Sequence, residues 1–346
     1  MSLELLAAGA MVVSLMFYAL LGGADYGGGV WDLFARGRRA RAQRELIAEA
    51  IGPVWEANHV WLILVLVILF TGFPSAFAAI ATALHVPLTL LLIGIVLRGS
   101  AFTFRTYDSE RDEVQQRWSR VFSVASIITP VLLGVTLGAI ASGTIKVENG
   151  IVTSGFWRSW LAPFPFAVGL FALALFAFLA AVYLTLETKD EKLQEDFRLR
   201  ALVAGVTVGA LALTVFLLAG EGAPKVRAGL AASVWALPLH AATAVAAVGA
   251  FYFLWKRKYA WARLCAAAQV SLILWGWALA QFPYIVEPDI TISSAAAPPQ
   301  TLRLLLAALA LGALVLFPSF YYLFRVFKGR TAFAPLEEGE PGEKKE

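Results

Sequence analysis

Nine stretches of this chain are long and apolar enough to be read as membrane-crossing helices, and nothing else in the sequence restricts the fold as strongly. They fall at 5–23, 60–71 with the turns before it, 76–104, 121–142, 160–186, 201–219, 230–255, 264–282 and 301–324. A helix rises about 1.5 Å per residue, so about 20 residues cross a hydrocarbon core of roughly 30 Å. In lipid every backbone N–H and C=O must find its partner within the protein, which admits only helices and closed barrels, and runs of this length select helices. Composition agrees, with 60% hydrophobic residues, 15% charged ones and a mean hydropathy of +0.73. The expected architecture is an all-α integral membrane protein: a single transmembrane helical domain over 1–330 and a charged cytoplasmic tail over 331–346.

An odd number of crossings places the termini on opposite sides, and the basic residues say which side is which. Arg36, Arg38, Arg39, Arg41 and Arg44 follow the first span, and Arg105, Arg111, Arg117 and Arg120 follow the third. Lys189, Lys192, Arg198 and Arg200 follow the fifth, Lys256, Arg257, Lys258 and Arg263 the seventh, and Arg325, Lys328, Arg330, Lys344 and Lys345 close the chain. The alternate loops hold only Lys146, Arg158, Lys225, Arg227 and Arg303. The positive-inside rule makes the arginine-rich face cytoplasmic, with the N-terminus outside and the C-terminus in the cytoplasm. Glu4 precedes the first span, without a basic n-region or a convincing cleavage site, so that span reads as a retained helix. Trp157, Trp160, Trp255, Tyr259, Trp261, Tyr321 and Tyr322 lie at expected membrane edges, as interfacial anchors do. Two outer loops, 143–158 and 283–300, are long enough to fold over helix ends.

Composition also excludes functions. One cysteine, Cys265, permits no disulfide framework or thiolate cluster and reads as a packing residue. A net charge of +4 reports topology rather than a nucleic-acid partner. The run Gly22-Gly23-Ala24-Asp25-Tyr26-Gly27-Gly28-Gly29, which ends the first span in this reading, lacks the Lys-Ser/Thr of a phosphate loop and has no preceding strand. Small residues there suit close approach of helix backbones.

Chemistry is sought at the ionisable residues near hydrocarbon, each of which costs roughly 2.5–3.5 kcal/mol on insertion scales. Asp25 lies among the glycines, as a structural hydrogen-bond partner or as a proton-handling or contact residue. Glu56 stands in Trp55-Glu56-Ala57-Asn58-His59, where the second span begins, either capping the helix start or, partly buried with a raised pKa, exchanging protons. Arg98 sits in the third span, either reaching for headgroups or paired with Asp25 or Glu56. His59, His85 and His240 are the only histidines, and no two have ligand spacing. Structural roles are expected for all three, and no metal site.

Gly23-Ala24-Asp25-Tyr26-Gly27-Gly28-Gly29, the stretch from Ile51-Gly52-Pro53 through Trp55-Glu56-Ala57-Asn58-His59-Val60-Trp61, Arg98 and Phe282-Pro283 resemble subunit II of the cytochrome bd-type quinol oxidases. The resemblance runs nearly end to end. It implies a nine-helix subunit in a bacterial inner membrane, paired with a haem-bearing subunit I, and leaves small accessory subunits open. In such a complex quinol is oxidised and dioxygen reduced to water, haems b and d lie in the partner, and this chain alone binds no cofactor. Membrane lipid and quinone are expected partners, and whether either rests in this chain is left open. By position, Asp25 and Glu56 match acids linked in the family to proton uptake from the cytoplasm, with Trp55, Asn58, His59 and Arg98 in support. Two departures stand out: the family often has Asp where Glu56 stands, and other polar residues where His59 stands.

Two rivals fit the same residues. A proton-coupled secondary transporter also uses intramembrane acids and broken helices, although no convincing inverted repeat is present. A purely structural subunit would need the apolar surface and none of the acids.

Overall fold

A computed structural model describes residues 2–107 and 112–332. Its elements are α1 (Leu3–Leu33), α2 (Ala40–Ile51), α3 (Trp55–Asn58), α4 (Val60–Gly72), α5 (Pro74–Ala83), α6 (His85–Tyr107) and α7 (Asp112–Ala141), then the strands β1 (Val147–Glu148) and β2 (Ile151–Val152). The second half holds α8 (Pro163–Leu184), α9 (Glu191–Gly222), α10 (Pro224–Ala232), α11 (Ala236–Trp255) and α12 (Tyr259–Gln281). The strands β3 (Tyr284–Val286) and β4 (Ile290–Thr291), the turn of helix α13 (Ile292–Ala295) and α14 (Pro299–Ala332) complete it. Among the described residues nine helices are long and apolar enough to span a membrane, with α3 and α4 counting as one of 18 residues. The charged tail falls almost wholly outside the described residues.

Three expected boundaries are corrected. The run 76–104 is two helices, because α5 ends at Ala83, capped by Leu84, and the spanning helix starts only at His85. The run 230–255 likewise divides at Ser233, where the backbone is extended, into α10 and the spanning α11. The glycine run does not end the first span, since α1 continues for 31 residues to Leu33. Glycine weakens helices in water because its backbone gains freedom on unfolding, but lipid leaves the backbone no alternative hydrogen-bond partner, so the helix persists.

The helix α8 is the centre of the molecule, packed against α1, α7, α9 and α12. Its residues Ala174 to Val182 are all buried. Around it, α1, α4, α6 and α7 form one group, and α9, α11 and α12 form another. The helix α14 leans mainly on α1 and α4, and is the least covered span, with 11% of its apolar window buried. Phe17, Trp61, Phe317 and Phe320 join α1, α4 and α14 through ring contacts of 4.4–6.0 Å.

The two long outer loops do fold over helix ends. In the first, Asn149 and Gly150 take positive φ (52° and 78°), the geometry a two-residue hairpin turn requires, and β1 pairs with β2. In the second, β3 pairs with β4, and a Thr291/Ser294 capping box starts α13. The Val147 N–H donates to Asp289 Oδ2 at 2.9 Å and the Ala297 N–H to the Gly72 carbonyl at 2.8 Å, so the loops fasten to each other and to the end of α4. Of the expected anchors, Trp157, Trp255, Trp261, Tyr321 and Tyr322 are exposed. Trp160 is instead buried and donates Nε1–H to the Phe156 carbonyl, because the first outer loop folds over it.

Candidate functional site

The site begins with the glycines of α1. A Cβ at Gly27 would lie 1.9 Å from the Phe176 carbonyl oxygen, so only glycine lets α1 and α8 meet there. That contact drives the α1 backbone into the centre of the protein and takes Asp25 with it, to 5% exposure. Leu21, Asp25 and Gly28 recur at helical spacing on one face of α1 and line a cavity of about 190 Å³.

Across the cavity stands α3. Gly52 and Pro53 close the amphipathic α2, whose buried Gln43, Leu46, Ile47 and Ile51 hold it against the bundle, and the chain restarts as a helix at Trp55. The restart aims Asn58, 2% exposed, at α1, where its Nδ2 donates to Asp25 Oδ2 at 2.8 Å. From Asp25 and Asn58 the cavity reaches Glu187 at the end of α8 and Arg263 on α12, both at the arginine-rich end of the helices.

On the other side of α1 lies Arg98, 1% exposed. Its Nε donates to Ser126 Oγ at 3.3 Å, and its guanidinium sits 4.6 Å from the Tyr26 ring centre and 5.3 Å from that of Phe122. Cation–π contacts of this desolvated kind are worth about 2 kcal/mol. The snorkelling alternative fails, because the side chain points into the bundle. His59 lies 5.9–6.1 Å from the rings of Trp55, Tyr18 and Tyr26, and the two tyrosine hydroxyls meet at 3.1 Å. Both His59 nitrogens, Asn58 Oδ1 and Arg98 Nη2 are buried without a hydrogen-bond partner. Each such atom costs on the order of 1–3 kcal/mol unless water completes it, so the surroundings of Asp25 are suited to ordered water.

Five of the six expected residues therefore gather here, and one does not. Glu56 is exposed in this chain rather than partly buried. It lies on the face of the α3–α4 segment that continues through Ile63, Leu66, Val67 and Phe70, all exposed. Trp55 packs between Phe102, His59 and Gly99. Sequence reasoning missed Tyr18 and Tyr26, although their spacing of eight residues puts them on one helix face. It also missed the buried Asp32, which accepts hydrogen bonds from Ser119 and Ser123 at 3.3 and 2.9 Å.

His59 is half-buried among three rings, and His85 and His240 are exposed, separate residues, His85 bonded through Nδ1 to the Thr82 carbonyl. Among the described residues no group of three or more His, Cys, Asp or Glu side chains is placed to hold a metal ion.

The family model for cytochrome bd terminal oxidase subunit II matches residues 3–327. The chain belongs to that family. It is thus a subunit of a bd terminal oxidase complex, an oxidoreductase in which it has a partner subunit I, and a multi-pass bacterial membrane protein. A Bacillus subtilis (strain 168) chain, provisionally named cytochrome bd menaquinol oxidase subunit II, is 22% identical over 333 residues, which is 94% of this chain and 95% of that one. The cytochrome bd-I ubiquinol oxidase subunit 2 of Escherichia coli (strain K12) is 26% identical over 211 residues, 60% of this chain and 54% of its own length. A chain in the structure of bd oxidase from Geobacillus thermodenitrificans shares the fold, with a TM-score of 0.77 and 21% identity over 94% of this chain and 99% of that one.

Proposed function

We propose that this chain carries cytoplasmic protons toward a haem-bearing subunit I, in an inner-membrane complex that oxidises quinol and reduces dioxygen to water. The observation that carries the reading is the buried Asp25–Asn58 pair on a cavity that runs to Glu187 and Arg263 at the arginine-rich end. Reduction of dioxygen to water consumes protons, and a carboxylate in a water-suited cavity takes them up and releases them without any metal ligand in this chain. Asn58 orients the Asp25 carboxylate, and the Tyr18–Tyr26 hydroxyl pair and His59 extend the polar lining toward Arg98. The haems, when present in the complex, supply the electron chemistry.

Glu56 fits a hand-over position. A carboxylate exposed at the foot of an apolar face is poorly placed against lipid and well placed against a second subunit. In this reading subunit I covers α4 and α14, and the arginine-rich face is cytoplasmic, with the N-terminus outside. The transporter rival loses its support with family membership. The scaffold rival is separated by experiment. Asp25→Asn and Glu56→Gln, each in an assembled complex with unchanged haem absorbance, should lower quinol oxidation on the order of 10²-fold if they act as proton carriers. Full turnover in both would leave this chain a scaffold.

A further inference from the structure

Between the end of α1 and the start of α9, a pocket of about 440 Å³ on the arginine-rich face is lined by Arg36, Arg38, Arg39 and Arg200 against one carboxylate, Asp196. The carboxylate is already taken, by Arg39 at 2.5 and 2.8 Å and by Gln43 Nε2 at 2.7 Å. Arg200 is held in place: its Nη2 donates to Gln43 Oε1 at 2.7 Å, and its guanidinium lies 5.0 Å from the Phe197 ring centre and 5.5 Å from that of Trp31. Its Nη1 is buried and has no hydrogen-bond partner. Arg36 and Arg38 flank Gly37, whose φ of +77° turns the chain back on itself, and neither makes a hydrogen bond or ion pair among the described residues. Four guanidinium groups thus converge on a single carboxylate, which leaves the pocket with an excess of positive charge, and Arg200 is fixed by the fold.

The rim adds a second property. Phe34 and Leu199 are each 51% exposed at the pocket mouth, and Leu199 continues down α9 through Val203, Val206, Leu213 and Leu217 as an exposed apolar stripe at helical spacing. We infer that this pocket binds the phosphate of an anionic phospholipid, with an acyl chain along the α9 stripe. Arginine suits the phosphate, because its planar fork donates two parallel bonds. The stripe favours a lipid over a free anion, which would use the arginines and leave the apolar track uncovered.

The test is native mass spectrometry of the whole detergent-solubilised oxidase complex, titrated with phosphatidylglycerol or phosphatidylcholine. The double variant Arg36→Gln/Arg38→Gln, in which both side chains are exposed, should bind phosphatidylglycerol about tenfold or more weakly, since each cation near an anionic headgroup contributes to attraction. Arg200→Gln should weaken it too, and phosphatidylcholine should bind all forms alike. Arg41→Gln, a change outside the pocket on the same face, should have no effect. Unchanged phosphatidylglycerol binding in the double variant, or equal weakening by Arg41→Gln, would overturn the assignment. Displacement of the lipid by inorganic phosphate at matching concentration would give the pocket to a free anion and overturn it as well.

Discussion

Asp25 shows how one residue is made tolerable in a membrane interior. Its burial follows from the glycines beside it, and the amide of Asn58 supplies a donor at 2.8 Å. A hydrogen bond to a charged group contributes about 1.5–3 kcal/mol, so Asn58→Leu should lower the melting temperature of the assembled complex and slow turnover together. A melting temperature equal to that of the parent would show that the bond contributes nothing. Glu287 is another costly residue, 2% exposed in the outer loop with its N–H donated to the Ile140 carbonyl. Burial pushes its carboxyl above the ordinary 4.5, opposed by nearby Lys225. A raised folded pKa means that the folded state holds the proton longer than the unfolded chain. Stability from this group is then greatest below the unfolded value and declines as pH rises through the folded one. Glu287→Gln should therefore raise the melting temperature at neutral pH and leave it unchanged near pH 4, read by thermal scans across that range. Asp25 was legible from its chemistry, because an acid among membrane glycines is conspicuous. Its pairing with Asn58 was not, since the partner is 33 residues away on another helix and no periodicity links them.

At the scale of elements, the contact between α1 and α8 carries the site. Gly27→Ala would put a methyl group 1.9 Å from a backbone carbonyl. Backbone cannot step aside as a side chain can, so the helices must separate, at a cost of about 1–3 kcal/mol or more. The expected result is lower thermal stability and less folded protein, measured against Gly9→Ala, where a Cβ meets nothing within 4 Å. The sequence pattern revealed the purpose of the glycines and misplaced the helix end, because glycine punctuates helices in water but serves packing in lipid. It also fused α5 to α6, since Leu84 interrupts the helix inside one largely apolar run. The hairpin turn at Asn149-Gly150 was readable in principle, as Asn-Gly is a strong two-residue turn signal.

For the molecule as a whole, nine crossings were legible because hydrocarbon thickness imposes a length on every span. Which apolar faces meet lipid and which meet another protein was not legible, because both demand the same side chains. In the reading proposed above, the exposed Glu56 marks α4 as the face that meets subunit I. Bulk added there, as Ile63→Trp, should reduce the haem absorbance recovered per mole of this chain, whereas Val245→Trp on the exposed side of α11 should leave it unchanged. If protons pass through Asp25, as proposed, proton uptake itself must depend on its carboxylate. In the intact complex reacting with dioxygen, a pH-indicator dye should report uptake from the arginine-rich side that is slowed on the order of 10²-fold by Asp25→Asn at unchanged haem content. Uptake at the parent rate in that variant would remove Asp25 from the proton route.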